Sequence, residues 1–301
     1  MKTRTRLGAL LCAMAMVLGL AACGGGGGTS GADVVTILRD AEAKIDTAQS
    51  VEFAMSIDVA MAATAADGTT EEMAATVGMN LATIIEPLKL KGDMNLNMAE
   101  LGGEMGFSIY AVQEGDTLTA YLGMMGYWMG YTVDMSEFAA LLEEETAAEI
   151  DIYADNASSA KKVAEETIND IATTKYTITI TGASMEKIMV ESGVIESMEG
   201  MGDMGLGMDV NWADMYTDMG DMIMNVWIDA DGNPVRYEID ALDMANKIVA
   251  KAMAMTEEMY GTPIEEDVNF SKLLIVLDII GIDNVEDFEI PADVINSAYF
   301  Y

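Results

Sequence analysis

From Val51 to Met61 the odd positions read Val51, Phe53, Met55, Ile57, Val59 and Met61, and the even ones Glu52, Ala54, Ser56, Asp58 and Ala60. Successive side chains of a strand point to opposite faces, so this alternation specifies a strand with one buried and one wetted side. Residues 88–98 repeat it, with Leu88, Leu90, Met94, Leu96 and Met98 set against Lys89, Lys91, Asp93, Asn95 and Asn97. Shorter versions follow at Met105 to Val112, Thr117 to Leu122, Lys175 to Thr181, Asp221 to Asp229 and Val235 to Asp240. Turn residues stand between them: Asp67-Gly68, Glu114-Gly115-Asp116, Asn169-Asp170 and Asp231-Gly232-Asn233-Pro234. Short turns between amphipathic strands make hairpins, and hairpins make an antiparallel sheet.

A sheet with one apolar face needs a cover. The candidates have apolar residues recurring every three and four positions, the period of a helix with one buried stripe. They are Asp33 to Ala48 (Val34, Val35, Ile37, Leu38, Ala41, Ile45), Ser136 to Glu145, Ser184 to Met198, and Leu242 to Met259. The pattern predicts an α+β domain with helices against one face of a long antiparallel sheet.

The N-terminus reads differently. Lys2, Arg4 and Arg6 precede an apolar run, Leu7 to Leu20, which ends in Leu20-Ala21-Ala22-Cys23 and five glycines. A basic segment, a short apolar run and a small-residue cleavage site are the parts of a secretory signal peptide. The apolar run is about 14 residues, short for a membrane-spanning helix. A cysteine at the cleavage point resembles the lipobox of bacterial lipoproteins, which implies diacylation of Cys23 and removal of residues 1–22. The alternative is a plain signal peptide with an incidental cysteine. Residues 23–32 are then a lipidated cysteine and a Gly-rich tether, and 33–301 a single domain. The expected location is the extracytoplasmic face of the cell membrane, with the membrane as partner through the anchor.

Removal of the signal takes three of the 15 basic residues and no acidic ones, leaving 12 − 51 = −39. Such a surface is repelled by phosphate backbones and anionic headgroups, which argues against nucleic acid as a partner. With Cys12 in the signal and Cys23 acylated, no disulfide, Cys-ligated zinc or Cys nucleophile is expected. The chain has no histidine, which removes the commonest general base and the usual zinc and iron ligand sets. No catalytic spacing, cofactor or metal site is expected, and the chain reads as a non-enzyme.

Several motifs together resemble a Met-rich group of bacterial lipoproteins related in fold to the LolA and LppX/LprG carriers. They are the lipobox and glycines, Ala48-Gln49-Ser50-Val51 after the first helix, and Glu165 to Asn169 turning into Thr174-Lys175-Tyr176. Trp227-Ile228-Asp229 with Asn233-Pro234-Val235-Arg236, and the terminal Ile290-Pro291-Ala292-Asp293-Val294, complete the set. The resemblance implies a curved antiparallel half-barrel whose concave face is covered by helices and can enclose lipid or another hydrophobic ligand.

Under that resemblance the expected ligand-lining residues are Phe53, Met55, Ile57, Leu96, Met98 and Ile109 from the sheet, with Ile248 and Met253 from a covering helix. Unbranched, polarisable Met suits adaptable apolar surfaces, although the same side chains also make an ordinary core. The alternative is an anchored sensor or surface interaction module with a packed core and no cargo. Three sharper readings are weaker. Met198, Met201, Met204 and Met208 could offer thioethers to Cu(I), but no His or spare Cys accompanies them. Asp229, Asp231 and Asn233 mimic the start of a calcium loop, yet Pro234 stands where an EF-hand needs Gly. Tyr127, Trp128 and Tyr131 could form a sugar platform beside a carboxylate pair, or equally a sheet rim.

Overall fold

In the computed structural model, the structure describes residues 31–65, 67–98, 103–136, 159–191, 220–260 and 267–300. Helix α1 (Gly31–Thr47) leads into six consecutive strands. These are β1 (Ser50–Thr64), β2 (Thr70–Ile84), β3 (Lys89–Met98), β4 (Gly103–Glu114), β5 (Thr117–Met124) and β6 (Tyr127–Asp134). Next come β7 (Ser159–Ile168), β8 (Ile171–Ile180), α2 (Gly182–Glu191), β9 (Met222–Asp229), β10 (Pro234–Asp240) and α3 (Leu242–Tyr260). The chain closes with β11 (Asp267–Ile282), α4 (Ala292–Ser297) and β12 (Tyr299–Phe300).

All twelve strands form one sheet in the order β12-β6-β5-β4-β3-β2-β1-β11-β10-β9-β8-β7. It is curved, and it stays unclosed because β12 and β7 lie at opposite ends. Every pairing is antiparallel except that of β12 with β6. All of the strands expected from alternation are present, and each expected turn lies in a hairpin connection. Strands β2, β6, β7, β11 and β12 were not among those expected. Of the helices, α1 and α3 lie where the periodicity put them, and α2 covers the first part of 184–198. The rest of that segment, most of the helix expected at 136–145, and the Met run at 198–208 lie outside the described residues, as does Cys23.

Two buried clusters hold the apolar face. In the first, Val34, Leu38 and Ala41 of α1, Met185 of α2 and Met244 of α3 meet Ile178, Ile180, Met222, Met224, Val226 and Ile239. In the second, Ala48 just beyond α1 joins Val51, Phe53, Leu81, Leu90, Ala111, Leu118 and Ile279. Each fully buried aliphatic side chain contributes about 1.5–3 kcal/mol relative to leaving it in water. Polar ties fix the helices in place. Asn246 on α3 accepts from the Phe270 N–H (2.7 Å) and donates to its carbonyl (3.0 Å). Lys44 on α1 donates to the Asp231 carbonyl and to Asn233 Oδ1. The Asp229 carboxylate is engaged within its own turn by the Asp231 and Asn233 N–H groups and the Asn233 amide. The Asp229–Asn233 segment is thus a hairpin turn docked on a helix.

The opposite face is polar and laced with pairs. Lys272 and Thr76 both donate to Asp58, whose carboxyl is held below the usual range mainly by the Lys272 bond and then by Thr76. Arg236 grips Asp278 bidentately at 2.6 and 2.8 Å, which raises the guanidinium pKa further. Trp227, 3% exposed, donates to Glu166 at 2.8 Å and lies under Lys175. The C-terminal segment crosses this face. Lys89 pairs with Asp287, Lys91 lies over the Phe288 ring, and Phe300 packs edge-on against Tyr121.

Candidate hydrophobic-ligand site

Strand register places the apolar residues of β1–β5 and β11 on the same face as the helices. One row runs Met124–Phe107–Met94–Met79–Met55–Leu277, each residue the lateral partner of the next. The row above it runs Met105–Leu96–Val77–Ile57–Ile275 and continues through Ile239, Met224 and Ile178 to Ala160. Adjacent strands lie about 4.8 Å apart, so the six side chains of the first row cover about 24 Å of contour.

Burial divides the second row at β10. Ile239, Met224, Ile178 and Ala160 are buried, because α1, α2 and α3 cover them. Ile275, Ile57, Val77, Leu96 and Met105 are only half-buried. Among the described residues, the helices cover β7–β10 and the edge of β11, while Ile45 and Ala48 from the α1 end and Met135 just after β6 reach the second cluster. What remains is a half-covered apolar surface rich in Met. Between the rows through Val51 and Met61, no charged side chain from β1–β5 stands on it.

Gly92 notches this surface. It lies in the row Phe53–Leu81–Gly92–Ile109. A Cβ there would come within 2.6 Å of Leu81 Cδ1 and 2.7 Å of the Asn80 carbonyl oxygen. The missing side chain lets Leu81 settle against the backbone. Thr83 is the polar exception: its hydroxyl is buried (1% exposed) with no hydrogen-bond partner.

The eight residues expected to line a ligand separate as follows. Met55, Ile57, Leu96, Met98 and Ile109 share the half-covered face, Met98 by way of its partner Ala75. Phe53 shares the face but is closed into the second cluster at 5% exposure, so it is core. Ile248 packs on the first cluster beside Leu273 and Ile275. Met253 lies about 140° further round α3, off the stripe that Ile248 occupies. Val77, Met79, Leu277 and Ile275 belong to the same surface and were missed, because β2 and β11 were missed. In β2 the signal was present as Met73, Val77, Met79 and Leu81 at every second position.

Chemically, the surface offers dispersion contacts, deformable thioethers and few polar atoms, the Thr83 and Tyr237 hydroxyls among them. It suits an apolar molecule of variable shape. The Asp58–Lys272 and Arg236–Asp278 pairs sit on the other face.

No protein-family model and no curated protein matches the chain. Solved structures do. The lipoprotein LppX of Mycobacterium tuberculosis is similar at 15% identity and a TM-score of 0.41, covering 86% of this chain and 99% of its own. LprF from Mycobacterium bovis is similar at 13% identity and a TM-score of 0.39, covering 87% and 98%. A LolA superfamily protein from Nitrosomonas europaea is similar at 11% identity and a TM-score of 0.15, covering 85% and 94%. No helix among the described residues is long and apolar enough to cross a membrane.

Proposed function

We propose that this chain is an extracytoplasmic lipoprotein, anchored through acylated Cys23, whose domain from Asp33 onward binds or carries a hydrophobic ligand such as a lipid. The observation that carries the reading is the change in burial along one continuous row. The same aliphatic and Met side chains are covered by helices over β8–β10 and only half-covered over β1–β4. Leaving a Met-rich face partly wet costs hydrophobic free energy that a ligand recovers, at about 25 cal/mol per Å² of apolar area buried. Met55, Ile57, Leu96, Met98 and Ile109 are the proposed contacts, with Ile248 at the helical margin. The test is lipid extraction and mass spectrometry on protein purified from its native membrane. A stoichiometric lipid or other apolar molecule is expected, and protein that is uniformly empty refutes the reading.

A second reading, a ligand-free interaction module, draws support from the two closed clusters, in which Phe53 and Leu81 are fully packed. It predicts empty protein with no affinity for apolar dyes.

A further inference from the structure

Thr117 to Val133 is a run without a single charged residue, in a chain that carries 51 acidic and 15 basic ones. It forms the β5–β6 hairpin, and its nearest charges in sequence, Asp116 and Asp134, both lie at the end away from the tip. At the tip Met124 is 42% exposed, Met125 73% and Tyr127 75%. Beside it the edge strand β12 leaves Tyr299 71% and Phe300 53% exposed. More than half of the large hydrophobic side chains that are exposed among the described residues lie on these three strands and their turn.

Turn chemistry makes Met125 the sharper clue. Its φ is +51°, followed by Gly126 at +82°, which is the two-residue turn whose first position favours Asn, Asp or Gly. A long unbranched apolar residue gains nothing from that conformation and, at this exposure, little from packing. A local rule broken on the surface points to a contact outside the fold.

We propose that the β5–β6 hairpin tip, with β12 beside it, seats in the interfacial region of a zwitterionic lipid bilayer. Three observations favour a bilayer as occupant. Trp128, Tyr127 and Tyr299 flanking a Met tip have the amphipathic-ring composition found at membrane–water interfaces. The strong negative charge makes a second copy of this chain a poor partner, since the two bodies repel. The same charge disfavours anionic lipid, leaving an uncharged tip as the part suited to approach a neutral surface. Met124 is also the outer end of the row leading through Phe107 and Met94 to Met79 and Met55. Bilayer contact stands on the hairpin alone, whereas passage of cargo along this row rests on the carrier reading.

The experiment uses the full chain in phosphatidylcholine vesicles, with an environment-sensitive fluorophore attached at Met125→Cys or, as control, at Asp116→Cys at the opposite end of the hairpin. The unsubstituted chain, labelled in parallel, sets the background from Cys12 and Cys23. Nitroxide-bearing phosphatidylcholine is expected to quench the 125 probe at least threefold more than the 116 probe, and phosphatidylglycerol is expected to weaken that quenching. Equal quenching of both probes, or a 125 probe fully open to aqueous iodide, overturns the proposal. So does shielding of the 125 probe without vesicles, which would mark a contact between copies. A fluorescent fatty acid titrated into the same preparation reads the carrier function separately. Quenching at 125 without fatty-acid uptake sustains the bilayer contact and removes the carrier reading, and uptake without quenching does the reverse.

Discussion

Replacing Asn246 by Ala should loosen the edge of the candidate site without emptying the core. Beyond Leu274, β11 has no β10 partner, and the Asn246 side chain stands in for one by bonding both the N–H and the carbonyl of Phe270. The contact falls at the point where the β1–β11 register shifts, between Ala60 and Met61. Two bonds at about 0.5–1.5 kcal/mol each give a loss of about 1–3 kcal/mol. Ala is the better helix former by about 0.6 kcal/mol, which offsets part of it. The net expectation is about 0.5–2.5 kcal/mol, or a fall in Tm of roughly 1–5 °C for a domain of this size. Because Ile248, Met244 and Ala241 still pack α3 and its start on the first cluster, the loss should be local. Amide exchange in 242–257 and 268–273 should accelerate while β8 and β9 stay protected, and binding of an apolar dye should rise. Asn246→Asp, which keeps the acceptor but sets a carboxylate against the Phe270 carbonyl, should be no milder. An unchanged Tm together with unchanged exchange in α3 would refute the view that this amide pins the helix.

Two substitutions on one face should separate core from site. Phe53→Ala should cost about 3–5 kcal/mol by leaving a cavity in a closed cluster, whereas Leu96→Glu should cost less stability but at least tenfold in apolar-ligand affinity, read by melting and dye titration. Thr83→Val should be neutral or stabilising by about 1 kcal/mol in thermal melts, since it removes a buried hydroxyl that has no partner. Asp58 has a lowered pKa in the folded state, so its stabilisation is complete above the ordinary value of about 3.9 and is lost as pH falls through the depressed folded value. For this partly exposed pair the effect is at most about 1 kcal/mol. Asp58→Asn should therefore lower stability at pH 6 and do so progressively less as pH falls below about 3.9, as measured by denaturant titration at each pH.

The strands legible in the sequence are those whose two faces differ most. β1 and β3 set Met, Ile and Leu against Asp, Asn and Lys, so alternation alone gave their inward residues. β2 carries Ala74, Ala75 and Ala82, with Gly78, across both faces, and the contrast needed for period two is diluted. β11 fails for another reason. Leu273 to Leu277 is apolar on every residue, and register shifts at both ends break the phase. β7 is an edge with Lys161, Lys162, Glu165 and Glu166, the charges that keep an edge from pairing further, and it lacks an apolar face of its own to detect. Phe53 and Leu96 share a face yet differ in burial, the first closed into the second cluster and the second half-buried. Sequence assigns a residue to a face, whereas burial on that face depends on where α1 ends.

The position of β11 has a consequence for how the chain acquires its fold. Strands β1 to β6 pair in chain order through short connections, and β7 to β10 also pair in chain order, with α2 lying between β8 and β9. Within the sheet these two blocks join through β11, whose Ile282 pairs with Val51, 282 − 51 = 231 residues away. Contacts so distant in sequence close late, because chain entropy must be surrendered before they reward it. As the chain emerges from its N-terminus, β1 therefore waits as an open edge with an apolar flank until the last strand of full length arrives. A product truncated before Asp267 would hold two partial sheets, each offering that edge to any other chain nearby.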